Sequence, residues 1–313
     1  MAIFAIDLGG TNIRAAAVNR SGQVVSAAQM PTPKGLRPSR LISIISGLFR
    51  DLSGAIGPGG AIEAAGIAVP APAAEDGEGI LTKVPNIPTI EGMQLGGPLK
   101  DQLRIPVVIE NDATAAAIGE QWLGASRRAR TSILFTLGTG IGGGLIVDGR
   151  PYRGPDGSAG EIGHFCVERN GEECGCGSRG CLEQYASAQG ILRLAIRSGI
   201  DAADSKDVYL AAIAGDRTAK KVFSEAGCYL GIVAAGLINT LNPDMIVFGG
   251  KVSEAFELFA PAMRAEVRRR AFPEPAKRCR IVKSKLGDTA GLLGAARSAM
   301  LRASSEAEAA SRK

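Results

Sequence analysis

Histidine is nearly missing from this chain: His164 is the only one among 313 residues. Aromatic residues are scarce as well, at 4%, with one tryptophan. Packing must therefore rest on small aliphatic side chains, and alanine is abundant. The two basic runs, Arg127-Arg128-Ala129-Arg130 and Arg268-Arg269-Arg270, contain no aromatic residue. They read as solvated faces, and with a net charge of +5 spread thinly no nucleic-acid partner is expected. No run of about 18 apolar residues appears, and the N-terminus opens on a short apolar strand with no secretory pattern. No membrane partner is expected, and the expected location is the cytoplasm.

The remaining totals are ordinary for a soluble globular protein, with 45% hydrophobic and 21% charged residues. The length exceeds the size at which one core stops growing, about 250–300 residues, so two domains are expected. The glycines, 42 in all, gather in turn clusters and do not form a repeat.

The lone histidine has company. It stands in Glu161-Ile162-Gly163-His164, and Cys174-Gly175-Cys176-Gly177-Ser178-Arg179-Gly180-Cys181-Leu182-Glu183 follows. One imidazole and three thiolates make up a closed tetrahedral zinc site, and the interspersed glycines let the backbone fold tightly enough for the sulfurs to converge. The competing readings are a disulfide, which the absence of an export signal disfavours, and unrelated buried thiols. A metal here would also fix Glu161 and Glu183 in space; spacing alone leaves these two as surface charge. Cys228 lies on an apolar helical face and reads as core, and no role is read for Cys166 or Cys279.

Two glycine turns interrupt apolar strands. Residues 3–6 and 13–18 flank Asp7-Leu8-Gly9-Gly10-Thr11-Asn12, and residues 132–137 and 145–147 flank the turn that begins Gly138-Thr139-Gly140 and runs to Gly144. Each is strand, glycine-threonine turn, strand. The weak repeat suggests two related halves, each supplying backbone N–H groups to a phosphate. Asp7, at a strand end, suits magnesium; taken alone, the segment reads first as a plain hairpin with Asp7 as a turn residue. The strand at 107–109 ends in Glu110-Asn111-Asp112, where an alanine-rich helix starts. Ligands bind outside such strand ends, and Asp112 is placed either to take a proton from a hydroxyl or to cap the helix, or both. Gly249-Gly250 after the strand at 245–248 is either an ordinary turn or a surface for a nucleotide base or ribose. Asn86 lies in the Gly- and Pro-rich stretch 73–98, which its length marks as functional or mobile.

These motifs resemble the ROK family of bacterial sugar kinases and sugar-responsive repressors, within the actin/hexokinase-like superfamily. Glu-x-Gly-His followed by Cys-x-Cys-Gly-x-x-Gly-Cys-x-Glu is met at every defined position of residues 161–183. Asp7 to Thr11 looks like the family's first phosphate motif, Gly138-Thr139-Gly140 like its second, and Gly249-Gly250 like its adenosine motif. The resemblance implies a two-domain α/β fold with a cleft and a zinc-binding loop. One domain would span 1–115 and the other 116–289, with a helix at 290–303 packing back on the first and a frayed tail at 304–313. It implies an ATP-dependent hexose kinase, most simply a glucokinase, working as a homodimer with zinc and with magnesium bound to ATP. Asp112 would be the general base. Asn86, Asn111, Glu161, His164 and Glu183 would bind the sugar together with Asp112. Asp7, Gly9, Gly10, Thr11, Gly138, Thr139, Gly140, Gly249 and Gly250 would bind ATP. His164, Cys174, Cys176 and Cys181 would hold zinc. The family's kinases for N-acetylmannosamine, N-acetylglucosamine, fructose and allose share these motifs. Its repressors carry a helix-turn-helix ahead of the first phosphate motif; here that motif begins at residue 7, so no such module is expected. The chain departs from the family at Ala68 and Ala71, where glycine is frequent, an exchange expected to tighten the sugar pocket or shift its preference.

Overall fold

The computed structural model of the chain describes residues 1–56, 61–73, 79–82, 84 and 87–311. In chain order they form β1 (Ala2–Leu8), β2 (Asn12–Asn19), β3 (Val24–Pro31), α1 (Pro38–Ala55), β4 (Ile62–Val69), α2 (Gly96–Leu103), β5 (Val107–Asn111), α3 (Asp112–Trp122), β6 (Ser132–Leu137), β7 (Ile141–Val147), β8 (Arg150–Pro151), α4 (Glu183–Ala186), α5 (Ala188–Arg197), α6 (Ser205–Ile213), α7 (Arg217–Leu241), β9 (Met245–Gly249), α8 (Phe256–Arg270), α9 (Pro273–Arg278), β10 (Arg280–Lys283) and α10 (Ala290–Ser311). The chain divides into two compact units. The first contains Met1–Arg127, Pro151–Ala159 and Thr289–Lys313, and the second contains Arg128–Arg150 and Gly160–Asp288.

The sheet order is β3-β2-β1-β4-β5 in the first unit and β10-β9-β6-β7-β8 in the second. In each, an antiparallel hairpin (β1/β2, β6/β7) adjoins parallel strands on the other side of its first strand. The weak glycine-threonine repeat thus corresponds to two sheets of one topology, each with its glycine turn between its first two strands. The expected turn 138–144 is shorter than the glycines suggest, because β7 starts at Ile141. Gly143 is in the strand for a steric reason: a Cβ there would lie 2.4 Å from the Gly160 carbonyl oxygen and 2.5 Å from Ile162.

In the first unit β1 is buried along nearly its whole length, as a central strand covered on both faces should be. α10 packs on β1, β4 and α3. The approach is backbone to backbone: a Cβ on Gly66 of β4 would fall 1.9 Å from the Ala295 oxygen, and one on Gly294 would fall 1.6 Å from the Ala115 oxygen. A methyl at 294 meets a carbonyl that belongs to a helix and cannot swing aside. Gly294→Ala is therefore expected to destabilise the fold at or above the upper end of the usual overpacking range, about 1–3 kcal/mol. A thermal melt checks this; an unchanged midpoint would mean that α3 and α10 can move apart at no cost.

The boundary expected at residue 115 falls inside α3, which stays with the first unit because it packs on α10. The tail expected to fray from residue 304 is helical through Ser311; its Ser, Glu and Ala residues include good helix formers. The described part of the stretch at 73–98 is pinned in place. Leu81, Val84, Ile87, Ile90, Met93 and Leu95 belong to the core, and Leu81 N–H donates to the Met93 carbonyl at 3.0 Å.

In the second unit α7 packs along α8, again through glycine: a Cβ on Gly227 would fall 2.3 Å from the Phe259 oxygen. By length and composition α7 meets the criterion for crossing a bilayer, although no uninterrupted apolar run was read from the sequence, and 61% of its apolar window is buried in the fold. The helix ends at Asn242, whose φ of 47° is the left-handed conformation that asparagine tolerates before Pro243.

Candidate functional site

The expected site residues divide between the two units. In the first, strand register aligns them. Asp7 pairs with Ala68 across β1 and β4, and Ala68 pairs with Glu110 across β4 and β5. These residues lie at the carboxyl ends of parallel strands, the edge at which α/β sheets bind ligands. Gly9 N–H donates to the Asn12 carbonyl at 2.9 Å to close the first turn, and the Thr32 hydroxyl donates to the Gly9 carbonyl at 2.6 Å. Gly10 and Thr11 at the tip are exposed. Asp7 lies 3.7 Å from Arg14 and beside Gly291, where α10 begins.

Asp112 is the first residue of α3 and is exposed; its Oδ1 accepts the Ala113 N–H at 2.8 Å. It is not the cap. That role belongs to Asn111, whose Oδ1 accepts the Thr114 N–H at 3.0 Å because Asn111 has extended backbone (ψ 142°) and Asp112 is already helical. The Asn111 amide also donates to the Ala71 carbonyl at 3.2 Å and to Asp112 Oδ1 at 3.3 Å. Asn111 thus orients Asp112. Ala68 and Ala71 are both buried, so their methyl groups meet core neighbours. Asn86 lies outside the described residues.

Sequence reasoning quoted Glu110 without giving it work. It is 1% exposed, and Arg153 grips it twice, Nε to Oε1 at 3.0 Å and Nη2 to Oε2 at 2.6 Å. The Ser298 hydroxyl donates to the same Oε2 at 3.0 Å. A charge buried this deeply needs such partners. No local pattern signals a pair whose members stand 43 residues apart.

The second unit gathers the remaining residues around its own turn. Gly138 N–H donates to the Gly140 carbonyl at 2.9 Å, and Thr139 at the tip is exposed. Gly250 is more than a turn former. Its φ is 79°, and a Cβ would fall 2.4 Å from the Leu137 oxygen, which brings Gly249-Gly250 against the base of the turn. The 3-10 turn Ile162–His164 abuts the start of β7, since a Cβ on Gly163 would lie 2.1 Å from the Ile141 oxygen. Glu183 closes the group, its Oε2 accepting the Ile141 N–H at 2.9 Å.

His164, Cys174, Cys176 and Cys181 converge, with their ligand atoms within 4.8 Å of one another. His164 Nδ1 is 3.6 Å from Cys174 Sγ, and Cys176 Sγ is 3.7 Å from Cys181 Sγ. Bond lengths of about 2.3 Å to sulfur and 2.0–2.1 Å to nitrogen give tetrahedral edges of about 3.8 Å between sulfurs and about 3.6 Å from nitrogen to sulfur. Both separations fit a zinc-binding loop. The surroundings fit as well: Gln184 Nε2 donates to Cys174 Sγ at 3.5 Å, and Glu161 lies 3.8 Å from His164 Nε2. The metal-free thiols are unequal. Burial pushes Cys181 up to about 12, while the Ser178 backbone hydrogen bond pulls Cys176 below its ordinary value. Metal binding would displace the Cys181 proton, so affinity falls as pH falls.

The chain is 34% identical over 305 residues to a glucokinase of Halalkalibacterium halodurans, covering 92% of each. It is 30% identical over 306 residues to the xylose repressor of Caldicellulosiruptor bescii, covering 93% of this chain and 76% of the repressor. Its fold matches the crystal structure of a ROK family glucokinase from Streptomyces griseus in complex with glucose and AMPPNP, with a TM-score of 0.81, 32% identity and coverage of 96% and 100%. The pattern described as the ROK family matches residues 3–301, so the Cys/His cluster, the two glycine-turn sheets and this match together make the chain a member of the ROK family.

Proposed function

We propose that this chain is an ATP-dependent hexose kinase whose preferred sugar is glucose, converted to glucose 6-phosphate. The observations that support the reading best are an exposed carboxylate just after a strand end, Asp112, in the first unit, and one glycine turn on each of two sheets of matching topology. Phosphoryl transfer demands positioning and charge neutralisation more than covalent chemistry. The N–H groups of Gly9, Gly10, Thr11, Gly138, Thr139 and Gly140 hold the ATP phosphates, and Gly249-Gly250 supports the adenosine. Asp7 would hold magnesium, directly or through water, and magnesium would neutralise charge on the phosphate oxygens. Asp112 takes the proton of the attacking sugar hydroxyl. Glu161, His164 and Glu183 read the sugar hydroxyls with Asn86 and Asn111, and each unmatched buried group costs a wrong epimer about 1–3 kcal/mol. His164, Cys174, Cys176 and Cys181 would hold zinc, which would supply a cross-link near Glu161 and Glu183.

The test is ADP release from ATP with glucose, fructose, allose, N-acetylglucosamine and N-acetylmannosamine, with elemental analysis of the same preparation. Turnover with glucose highest, and one zinc per chain, is the expected outcome. Turnover with none of the five sugars would remove the kinase assignment. A better rate with an N-acetylhexosamine would retain the chemistry and move the specificity.

A further inference from the structure

The Glu183 carboxylate touches more than a sugar ligand needs to. Its Oε2 accepts the Ile141 N–H at 2.9 Å, at the exit of the second glycine turn. A Cβ on Gly140 would lie 2.3 Å from that oxygen and 3.2 Å from Cδ, so glycine at 140 leaves the space the carboxylate fills. The other side of the turn is tied from the same segment: Ala188 N–H donates to the Gly138 carbonyl at 2.9 Å. The turn is thus clamped at both ends by residues that follow Cys181 within seven positions. Oε1 points away from the turn, at 3.9 Å from the same Cβ position.

We infer that Glu183 is a positioning residue for the second phosphate turn, one oxygen setting the turn and the other left for the sugar, so that sugar and nucleotide occupancy are coupled through one carboxylate. The inference rests on the sugar-kinase reading. A sugar hydroxyl on Oε1 restrains the carboxylate, which restrains Ile141 and the turn. By linkage a nucleotide on the turn favours the sugar equally.

The experiment is calorimetric titration of the metal-loaded protein with Mg-ADP, with and without saturating glucose, for the wild type, Glu183→Asp and Glu183→Gln. In the wild type glucose is expected to tighten Mg-ADP about 5-fold or more, the lower end of common coupling factors. Aspartate is one methylene too short to reach Ile141 N–H. Glu183→Asp is expected to bind Mg-ADP more weakly even without sugar, and to lose the glucose effect. Glutamine keeps an oxygen at full reach, so Glu183→Gln is expected to retain the sugar-free affinity; this variant also carries the test if the aspartate variant folds poorly. Sugar-free Mg-ADP affinity unchanged in Glu183→Asp overturns the inference and leaves the kinase reading standing, as does a loss in Glu183→Gln as large as in Glu183→Asp. A wild type that binds no Mg-ADP overturns both.

Discussion

Asp112→Asn is expected to lower kcat by about 10²–10⁴-fold, the range for losing a general base, with far smaller changes in either KM. The substitution isolates the chemistry from the fold. Asparagine retains an Oδ1 to accept the Ala113 N–H, now at 2.8 Å, and the cap belongs to Asn111, which the variant leaves intact. What disappears is a group that accepts a proton and the negative charge that the N-terminus of α3 favours. Steady-state kinetics with saturating sugar and ATP, beside a thermal melt, separate the two contributions. Turnover within a few fold of wild type, in a protein of unchanged melting temperature, would take Asp112 out of the mechanism.

Arg153→Met is expected to cost about 3–5 kcal/mol of stability, the range for breaking a buried ion pair from one side. The size follows from asymmetry. Arg153 retains some solvent access, with its side chain 18% exposed, whereas that of Glu110 is 1% exposed. Removing the arginine leaves the Glu110 carboxylate with the Ser298 hydroxyl bond at 3.0 Å and no other cation gripping it among the described residues. Removing both charges together, as in Glu110→Gln with Arg153→Met, is expected to restore much of the loss. Denaturant melts of the two singles and the double form a cycle that reads the coupling. An Arg153→Met midpoint equal to wild type would show that water reaches Glu110. Glu110 and Asn111 end β5 directly before Asp112, the first residue of α3, so the pair also steadies the segment that presents Asp112.

Much of the site could be read from the chain because its parts are local. Four candidate metal ligands lie within 18 positions, and both glycine turns stand between strands that pair at once. Other features resisted for identifiable reasons. Gly142 to Gly144 look like a turn, yet they are strand, since Gly143 must let Gly160 and Ile162 approach. Asp112 looks like a cap, yet backbone dihedrals give that role to Asn111 one residue earlier. The stretch at 73–98 looks loose by composition, while Leu81, Val84, Ile87, Ile90, Met93 and Leu95 among its described residues join a core contributed largely by β1, β4 and α1. β3 shows little burial along its length, so its alternation is a faint signal.

Sequence by itself determined the residue types that do chemistry and the short-range geometry between them, because backbone reach over a few positions is nearly fixed. It therefore specified the Cys/His loop, the two hairpins and the family. Tertiary structure alone decided which distant groups meet. Glu183 and Ile141 are 42 residues apart, and Glu110 and Arg153 are 43 apart. Arg153 lies in the loop after β8 and Glu183 at the start of α4, so the folded path of the chain brings each to its partner, and that path leaves no periodic trace in the residues themselves.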